Sequence, residues 1–288
     1  MAKASDYQRR INAATNQVAR NLDKSHSIEE LAAVSNFSKF HFHRIYRALC
    51  GETVSQMVNR LRLEGAAATL IYNKSLPITR VAVDHGYSSG GNFTKAFTKH
   101  FGCSPSAYRT NSKIGKAIAA NPREDGVVEP EVTLGHEPET LLAYYRRKGP
   151  YRHLEIEDMH QKVQQWVEDR DCAAEPSTSY GITWSDSLIT SEENWIYDAC
   201  VAVKPGTEGR GEISIQSLEG GLVAQLDVEL APNDNHDLSP YWNWLVRDWF
   251  MASKYELRSN PSYERYLDTL HGLKVRLCLP IELNDKRM

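Results

Sequence analysis

The sequence lacks the features of a membrane, exported or disulfide-stabilised protein. Its apolar runs are far shorter than the roughly 20 residues that a membrane-spanning helix needs. Charged residues stand near the N-terminus, where an export signal requires an apolar segment. The five cysteines are scattered and form no Cys-x-x-Cys pair, which disfavours disulfides and a zinc site. We therefore expect a cytoplasmic protein with no membrane partner, metal or cofactor.

Positive charge is in excess only in the first part of the chain. Residues 1–113 contain 16 Lys and Arg against 7 Asp and Glu, a net charge of +9, whereas residues 114–288 contain 18 against 30, a net charge of −12. All six tryptophans lie in the second part. This asymmetry is expected when only one domain binds a polyanion. The length and composition predict two domains, residues 1–112 and 130–288, joined by a linker at 113–129.

Two short helix pairs repeat within the first 110 or so residues. Ser27 and Glu30 form a capping box before an apolar helical segment, and Ser38 caps a second helix that ends at Gly51. After a longer helix over about 54–72, the same order returns: a small apolar helix, an aromatic-serine turn, an aromatic-led helix and a glycine. This duplication predicts an all-α domain of two helix-turn-helix units.

The second helix of the first unit has two different faces. Its predicted core face consists of Phe42, Ile45, Tyr46 and Leu49. The opposite face carries donors for base edges and phosphates and an apolar group for thymine methyls, namely Phe40, His43, Arg44 and Arg47, with Lys39 beside them. We expect Phe40, His43 and Arg44 to contact bases, and Lys39 and Arg47 to contact phosphate.

The second helix-turn-helix unit has fewer base-reading groups. At the same offsets its core face consists of Phe93, Ala96, Phe97 and Phe101. Its outward face consists of Gly91, Thr94, Lys95 and Thr98. We expect this helix to add phosphate contacts and little specificity. The alternative, a merely solvated basic helix, is disfavoured by the repeat, the caps and the net charge of +9.

The second unit also carries an aromatic and glycine motif. It comprises Tyr87-Ser88, Phe93, Phe97, Phe101-Gly102, Pro105 and Tyr108-Arg109. With this motif, residues 5–110 resemble the DNA-binding domain of the AraC/XylS family of transcriptional regulators. The resemblance implies seven helices and two recognition helices, held on a connecting helix, that bind adjacent major-groove segments. Family base contacts match Phe40, His43 and Arg44, and in the second unit they fall on Gly90, Gly91 and Lys95. Double-stranded promoter DNA and RNA polymerase are the expected macromolecular partners.

After residue 129, strand patterns alternate with helical spacing. Segments rich in β-branched and aromatic residues predict strands, and the segments around 151–170 and 239–253 have helical spacing. The order strand–helix–strand–strand occurs twice, which predicts an α+β domain of two related halves.

Several segments of this second domain resemble, in order, the GyrI-like effector-binding domain. They are RRKGPYRHL, SYGITWSD, IYDACVAV, LEGGLVAQL, NPSYERYL and KVRLCLPIE. With an AraC-type domain in front, the architecture is similar to that of the Rob subgroup. The resemblance implies a pocket between the two halves for a hydrophobic, often cationic small-molecule effector, with aromatic walls and a buried glutamate.

Glu264 matches the family's acidic residue by motif, and Tyr266 lies beside it. A carboxylate among aromatic rings pairs with a desolvated cation, and each ring face adds about 0.5–2 kcal/mol of cation–π attraction. The further wall candidates, chosen by their strand positions, are Trp184, Trp195, Tyr145 and Tyr197. The alternatives are a salt bridge from Glu264 to Arg265 or Arg276, and ordinary core packing of the aromatic residues.

Three functions stay open for this domain: effector sensing, hydrolysis by Glu264 with Tyr266, and protein interaction without a ligand. Fusion to a DNA-binding domain favours sensing, so we expect a regulator and not an enzyme. His153, Glu157 and His160 lie close on one helix. Because no further ligand cluster accompanies them, they are interpreted as a polar helix face and not a metal site.

Overall fold

The computed structural model describes residues 2–24, 26–111, 130–150, 153–186, 188–230, 238–258, 260–268 and 273–283. The chain divides into an N-terminal domain comprising Met1–Pro122 and Leu188–Thr190, and a C-terminal domain comprising Arg123–Ser187 and Ser191–Met288. The predicted linker at 113–129 lies outside the described residues, so it stays a prediction. Within the described ranges, no helix is both long enough and apolar enough to span a bilayer.

The described part of the N-terminal domain is helical, as predicted. Its helices are α1 (Ala2–Ala19), α2 (Ile28–Val34), α3 (Lys39–Cys50), α4 (Val54–Tyr72), α5 (Ile78–Asp84), α6 (Gly90–Phe101) and α7 (Pro105–Asn111). The pairs α2–α3 and α5–α6 are the two predicted helix-turn-helix units, and α4 lies between them in the chain. The first turns of α2, α3, α4 and α6 are each capped by a serine or threonine side chain.

The caps of α3 and α6 are alike. Ser38 and Ser89 each accept a hydrogen bond from the amide three residues later, which satisfies one of the free N–H groups of the first turn. The helices end at Gly51 and Gly102, whose φ angles of 75° and 74° strain any residue with a side chain. The helices α3 and α6 therefore begin and end by the same local chemistry.

The N-terminal domain contains two hydrophobic cores, and α4 contributes to both. The N-terminal half of α4 packs with α1, α2 and α3, around Phe42 and Tyr46. Its C-terminal half packs with α5, α6 and α7, around Phe93 and Phe97. Leu49, predicted to lie in the core, is instead 39% exposed because it occupies the last turn of α3, outside the packed cluster.

The C-terminal domain is built on one antiparallel sheet with helices. Its elements are β1 (Val132–Glu137), β2 (Thr140–Lys148), α8 (His153–Glu168), β3 (Ser179–Thr183), β4 (Ile196–Ala202), β5 (Ser214–Leu218), β6 (Gly221–Leu230), α9 (Ser239–Trp244), β7 (Tyr255–Leu257), β8 (Tyr263–Asp268) and β9 (Leu273–Leu283). The strand order is β1-β6-β9-β8-β3-β4-β2-β5, and β7 pairs with β9. This arrangement confirms the predicted α+β fold.

The two predicted halves are β2-α8-β3-β4 and β6-α9-β8-β9. They join where β3 pairs with β8, with Gly181 directly opposite Glu264. The strands β1 and β5 were not part of the predicted halves, and each precedes one half but pairs with the other: β1 with β6, and β5 with β2. Each half therefore supplies the edge strand of its partner.

The two faces of the sheet hold separate cores. Tyr144, Tyr180 and Tyr263 lie in one core. Tyr197 lies in the other core, where α8 packs on the sheet. Side chains alternate between the faces along each strand, so adjacent residues of β3 and β8 serve different cores. Glu264, next to Tyr263, therefore lies on the same face as Tyr197.

Candidate functional sites

The outward surface of α3 is open to solvent. Phe40 is 82% exposed, and His43, Arg44 and Arg47 are also exposed. Within the described part of the chain, no hydrogen bond, ion pair or ring contact engages these four side chains. Lys39, in contrast, forms an ion pair with Glu29. Among the described residues, this surface thus presents one large ring and two guanidinium groups without a partner on one helix.

The outward surface of α6 carries smaller side chains than the outward surface of α3. Gly91, Thr94, Lys95 and Thr98 are exposed, as their spacing predicts. A methyl group added at Gly91 would have no atom within 4 Å, so the start of this helix presents backbone where α3 presents side chains. Lys95 supplies a positive charge without a fork of donors. The arrangement suits contact with a phosphate backbone better than recognition of a base edge.

Glu264 is the centre of a polar cluster on the α8 side of the sheet. Its Oε2 accepts hydrogen bonds from the Tyr266 hydroxyl at 2.9 Å and the Tyr197 hydroxyl at 3.4 Å. Its Oε1 accepts one from Trp242 Nε1 of α9 at 3.4 Å. Burial raises the pKa of Glu264, and the hydrogen bonds from Tyr266, Trp242 and Tyr197 oppose that rise. The carboxylate is thus fixed by neutral donors.

His160 of α8 completes the cluster. Its Nε2 lies 3.2 Å from the Tyr197 hydroxyl, and its ring packs edge-on against the Tyr266 ring at 4.9 Å between centroids. Burial lowers the pKa of His160 to about 4, so the imidazole is neutral at pH 7. Burial also raises the pKa values of Tyr197 and Tyr266 well above 10, which keeps both hydroxyls protonated as donors.

Comparison with known proteins identifies the families of the two domains. Residues 130–282 match the family described as the GyrI-like small molecule binding domain, and these residues make up more than half of the chain. The chain belongs to the GyrI-like family. Residues 31–111 match a helix-turn-helix domain family. The architecture is Rob-like, with an AraC-type helix-turn-helix domain followed by a GyrI-like domain.

The curated relatives match about a third of the chain. YbfP of Bacillus subtilis (strain 168), an uncharacterized HTH-type transcriptional regulator, is 36% identical over 107 residues, 37% of this chain and 36% of that protein. The transcriptional regulator Rob of Salmonella typhimurium is 30% identical over 92 residues, 32% of each protein. The match thus spans about a third of these relatives. A cryo-EM structure of the EcmrR–DNA complex in EcmrR-RPo aligns with 91% of this chain and 86% of that chain, at a TM-score of 0.48 and 14% identity.

Within the GyrI-like domain, the predicted wall residues do not all meet Glu264. Trp184 lies on the opposite face, because it follows β3 in the same alternation as Tyr180 and Ile182. Its indole Nε1 donates to Asp198 Oδ2 at 2.7 Å. Tyr266 and Tyr197 do contact Glu264.

The two remaining wall candidates lie on β2 and just before β4. Tyr145 packs against the α8 core, with Lys162 Nζ 4.0 Å from its ring centroid. Trp195 is half-buried and immediately precedes β4, the strand that carries Tyr197. The structure gives neither residue a contact with Glu264, so their place in the site stays a prediction.

The alternative salt bridges of Glu264 are not formed. Arg265 pairs with Glu137 at 3.3 Å, and Arg276 pairs with Asp227 at 2.5 Å. Both arginines neighbour Glu264 in sequence or across β8–β9, yet each is directed to another carboxylate. Within the residues that the structure describes, no Lys or Arg pairs with Glu264.

Sequence reasoning missed three residues of this site: His160, Trp242 and Gly181. The predicted polar helix face is wrong for His160, whose ring packs against Tyr197 and Tyr266. Within the described ranges, no group of three or more His, Cys, Asp or Glu residues is placed to hold a metal ion. Trp242 lies in the aromatic segment of α9, which was predicted only as a helix. For His160 a usable signal was its helical spacing from Ile156 and Val163, four residues before it and three after it, which both pack in the core between α8 and the sheet.

Gly181 allows the close approach of the site residues across β3 and β8. Gly181→Ala is expected to lower the free energy of unfolding by about 1–3 kcal/mol, because the added methyl would lie 2.1 Å from Tyr197 Oη and 2.7 Å from Glu264 Oε2. Urea unfolding midpoints, compared at an unchanged m value, measure the effect.

Gly91→Ala is the matched control for this substitution. Gly91 is exposed on α6 with open space around it, so alanine there is expected to raise stability by about 0.4–1 kcal/mol. Equal midpoints for the Gly181 variant and the wild type would show that the sheet accommodates the methyl group.

Proposed function

We propose that the chain is a sequence-specific DNA-binding transcriptional regulator in which α3 is the principal reading helix. The observation that carries this proposal is the outward face of α3, where an 82% exposed Phe40 stands beside free arginines. A large exposed ring at the start of a capped helix offers an apolar contact for a thymine methyl. Arg44 offers a donor fork for guanine.

The proposal assigns a supporting role to α6. Lys95 contacts phosphate, and the glycines at the start of α6 bring its backbone close to the DNA without reading bases. The net charge of +9 over residues 1–113 supplies the sequence-independent attraction to double-stranded DNA. RNA polymerase at the promoter is the further partner that the proposal includes.

Arg44→Ala tests the reading role of α3. With a duplex selected by the wild-type protein from a random 40-base-pair library, the variant is expected to lose about 1–3 kcal/mol of binding free energy and base preference at one position. Lys95→Ala is expected to weaken every duplex about equally and to reduce the salt dependence. Dissociation constants over all single-base variants of the selected duplex measure both effects. Equal losses for both variants across the panel would refute the assignment.

For the GyrI-like domain we infer a lipophilic cation as the effector. Two carboxylates of this sheet, the buried Asp198 and the partly buried Glu264, have different surroundings. Asp198 is paired with Arg146, whereas Glu264 receives only neutral hydrogen-bond donors in the described structure. Removing a carboxylate from water without a cation beside it is costly, and a cationic ligand among the surrounding rings relieves that cost.

The same contacts bear on the alternative of hydrolysis by Glu264. Three donors hold the carboxylate in one orientation, which supports a fixed counter-charge over a general base that must take up a proton. The neutral His160 lies next to Tyr197, with its Nε2 3.2 Å from the Tyr197 hydroxyl. Effector binding is therefore the function that the cluster supports best.

A further inference from the structure

The middle of α4 is where the two cores of the AraC-type domain meet. Leu61 packs against the first core and Leu63 belongs to the second, so the core side of the helix changes partner within one turn. Arg62 lies between these two residues and is partly buried. Any contact that Arg62 makes with both units fixes one unit relative to the other.

Arg62 is hydrogen-bonded to the segment that leads into the first helix-turn-helix unit. Its Nε donates to the Leu22 carbonyl at 2.8 Å, and its Nη2 donates to the Lys24 carbonyl at 2.6 Å. These carbonyls lie in the segment between α1 and α2, just before the first helix-turn-helix pair. Two N–H groups of one rigid, planar group thus hold two backbone positions of this segment.

The same guanidinium lies against the turn of the second unit. Gly86, between α5 and α6, has a φ of 75°, and a methyl group there would lie only 2.7 Å from Arg62 Cζ. Nearby, a methyl group at Gly65 of α4 would lie 3.0 Å from His85 Cε1 and 3.6 Å from Leu22 Cδ1. The segment between α1 and α2, the middle of α4 and the α5–α6 turn therefore come together around Arg62.

Arg10 of α1 offers a comparison, because its guanidinium contacts the turn of the first helix-turn-helix unit. It donates from Nε to the Ser35 carbonyl at 2.7 Å, and its Cζ lies 3.5 Å from the centroid of Phe37, so both contacts fall in the α2–α3 turn. Arg62 contacts the corresponding turn of the second pair but directs its hydrogen bonds to the segment that leads into the first unit. The two arginines thus differ in one respect: only Arg62 bridges the units.

We infer that Arg62 is a positioning residue that sets the separation of the two DNA segments contacted by α3 and α6. This inference rests on the proposed DNA-binding function. Inserting one base pair moves the two segments apart by roughly 3.4 Å and rotates them by about 35°. A clamp that holds both units prevents α3 and α6 from following that displacement. Spacing therefore becomes part of the recognised sequence.

Arg62→Gln tests the inference in the full-length protein. The probes are the duplex selected by the wild type from the random 40-base-pair library and its versions with one base pair inserted or deleted between the two enriched segments. We expect the wild type to lose about 30-fold in affinity on either altered spacing. Arg62→Gln is expected to lose less than about 3-fold relative to its own affinity for the original spacing. Arg80→Gln, which removes an exposed arginine paired with Asp84, is the control and should discriminate like the wild type.

Each outcome decides the inference. If Arg62→Gln discriminates between spacings as the wild type does, Arg62 does not set the spacing, although the Arg44→Ala result can still support DNA reading. No enrichment from the library would overturn the proposed function itself, and a single enriched segment would overturn two-segment reading. If Arg62→Gln does not fold, Arg62→Lys keeps the charge and the stem but loses the donor fork, and the same spacing ratios decide.

Discussion

Asp198→Ala is expected to lower the free energy of unfolding by about 3–5 kcal/mol. Asp198 is fully buried and accepts hydrogen bonds from Arg146 at 2.6 and 2.6 Å, from Trp184 at 2.7 Å and from Gln216 at 3.0 Å. Burial disfavours the charge of Arg146, but the Asp198 carboxylate outweighs that effect and raises the pKa of the guanidinium. Removing the carboxylate leaves a charge that is 5% exposed without its counter-ion.

Denaturant unfolding of the full-length protein measures this loss, and Asp227→Ala is the matched control. Asp227 and Arg276 also form an ion pair between neighbouring strands, but their side chains are 59% and 27% exposed. Because water screens the pair, the control should lose less than about 1 kcal/mol. The double variant Arg146→Met with Asp198→Leu should recover most of the stability, since it buries no unpaired charge. Similar losses for both single variants would contradict the assignment.

Glu264→Gln is expected to weaken the binding of a lipophilic cation by about 100-fold or more. The substitution keeps the size of the side chain and removes the only charge of the cluster, and a cation buried without its partner is unfavourable by several kcal/mol. Calorimetry of the full-length protein with tetraphenylphosphonium and the neutral triphenylphosphine oxide measures the effect. The affinity for the neutral compound should change little.

Glu229→Gln, which removes an exposed carboxylate paired with Lys274, is the control for this experiment and should bind both compounds normally. The pKa of Glu264 is raised by burial, so cation affinity should fall on acidification at a higher pH than for an exposed glutamate. Unchanged cation affinity in Glu264→Gln would remove this residue from the site. Equal loss of both compounds would assign it a structural role.

The sequence by itself determined the helical domain because its signals are local. Ser27 and Glu30 are three residues apart, and each satisfies the other's backbone N–H at 3.1 and 3.0 Å. Gly51 ends α3 by a backbone angle that depends on one residue. The outward position of Arg44 follows from helix periodicity once Phe42 and Tyr46 are buried. Such features need no information from distant parts of the chain.

The strands of the GyrI-like domain were predictable for a similar reason, but their neighbours were not. Alternation and β-branched composition indicated β2, β3, β4, β5, β6 and β9, whereas the pairing of β1 with β6 joins residues about 90 positions apart. Hydrogen bonds between strands have no sequence spacing of their own. The exchange of edge strands was therefore decided only by the tertiary structure.

The candidate site divides in the same way. The motif around Glu264 identified the carboxylate, but only sheet register decided which aromatic residues face it. Side chains alternate between faces, so Trp184 lies with Asp198 on one side and Tyr197 with Glu264 on the other. His160 and Trp242 reach the cluster from two helices far apart in the chain. Likewise, no local pattern distinguishes Arg62 from other surface arginines, because the carbonyls that it binds lie 38 and 40 residues away.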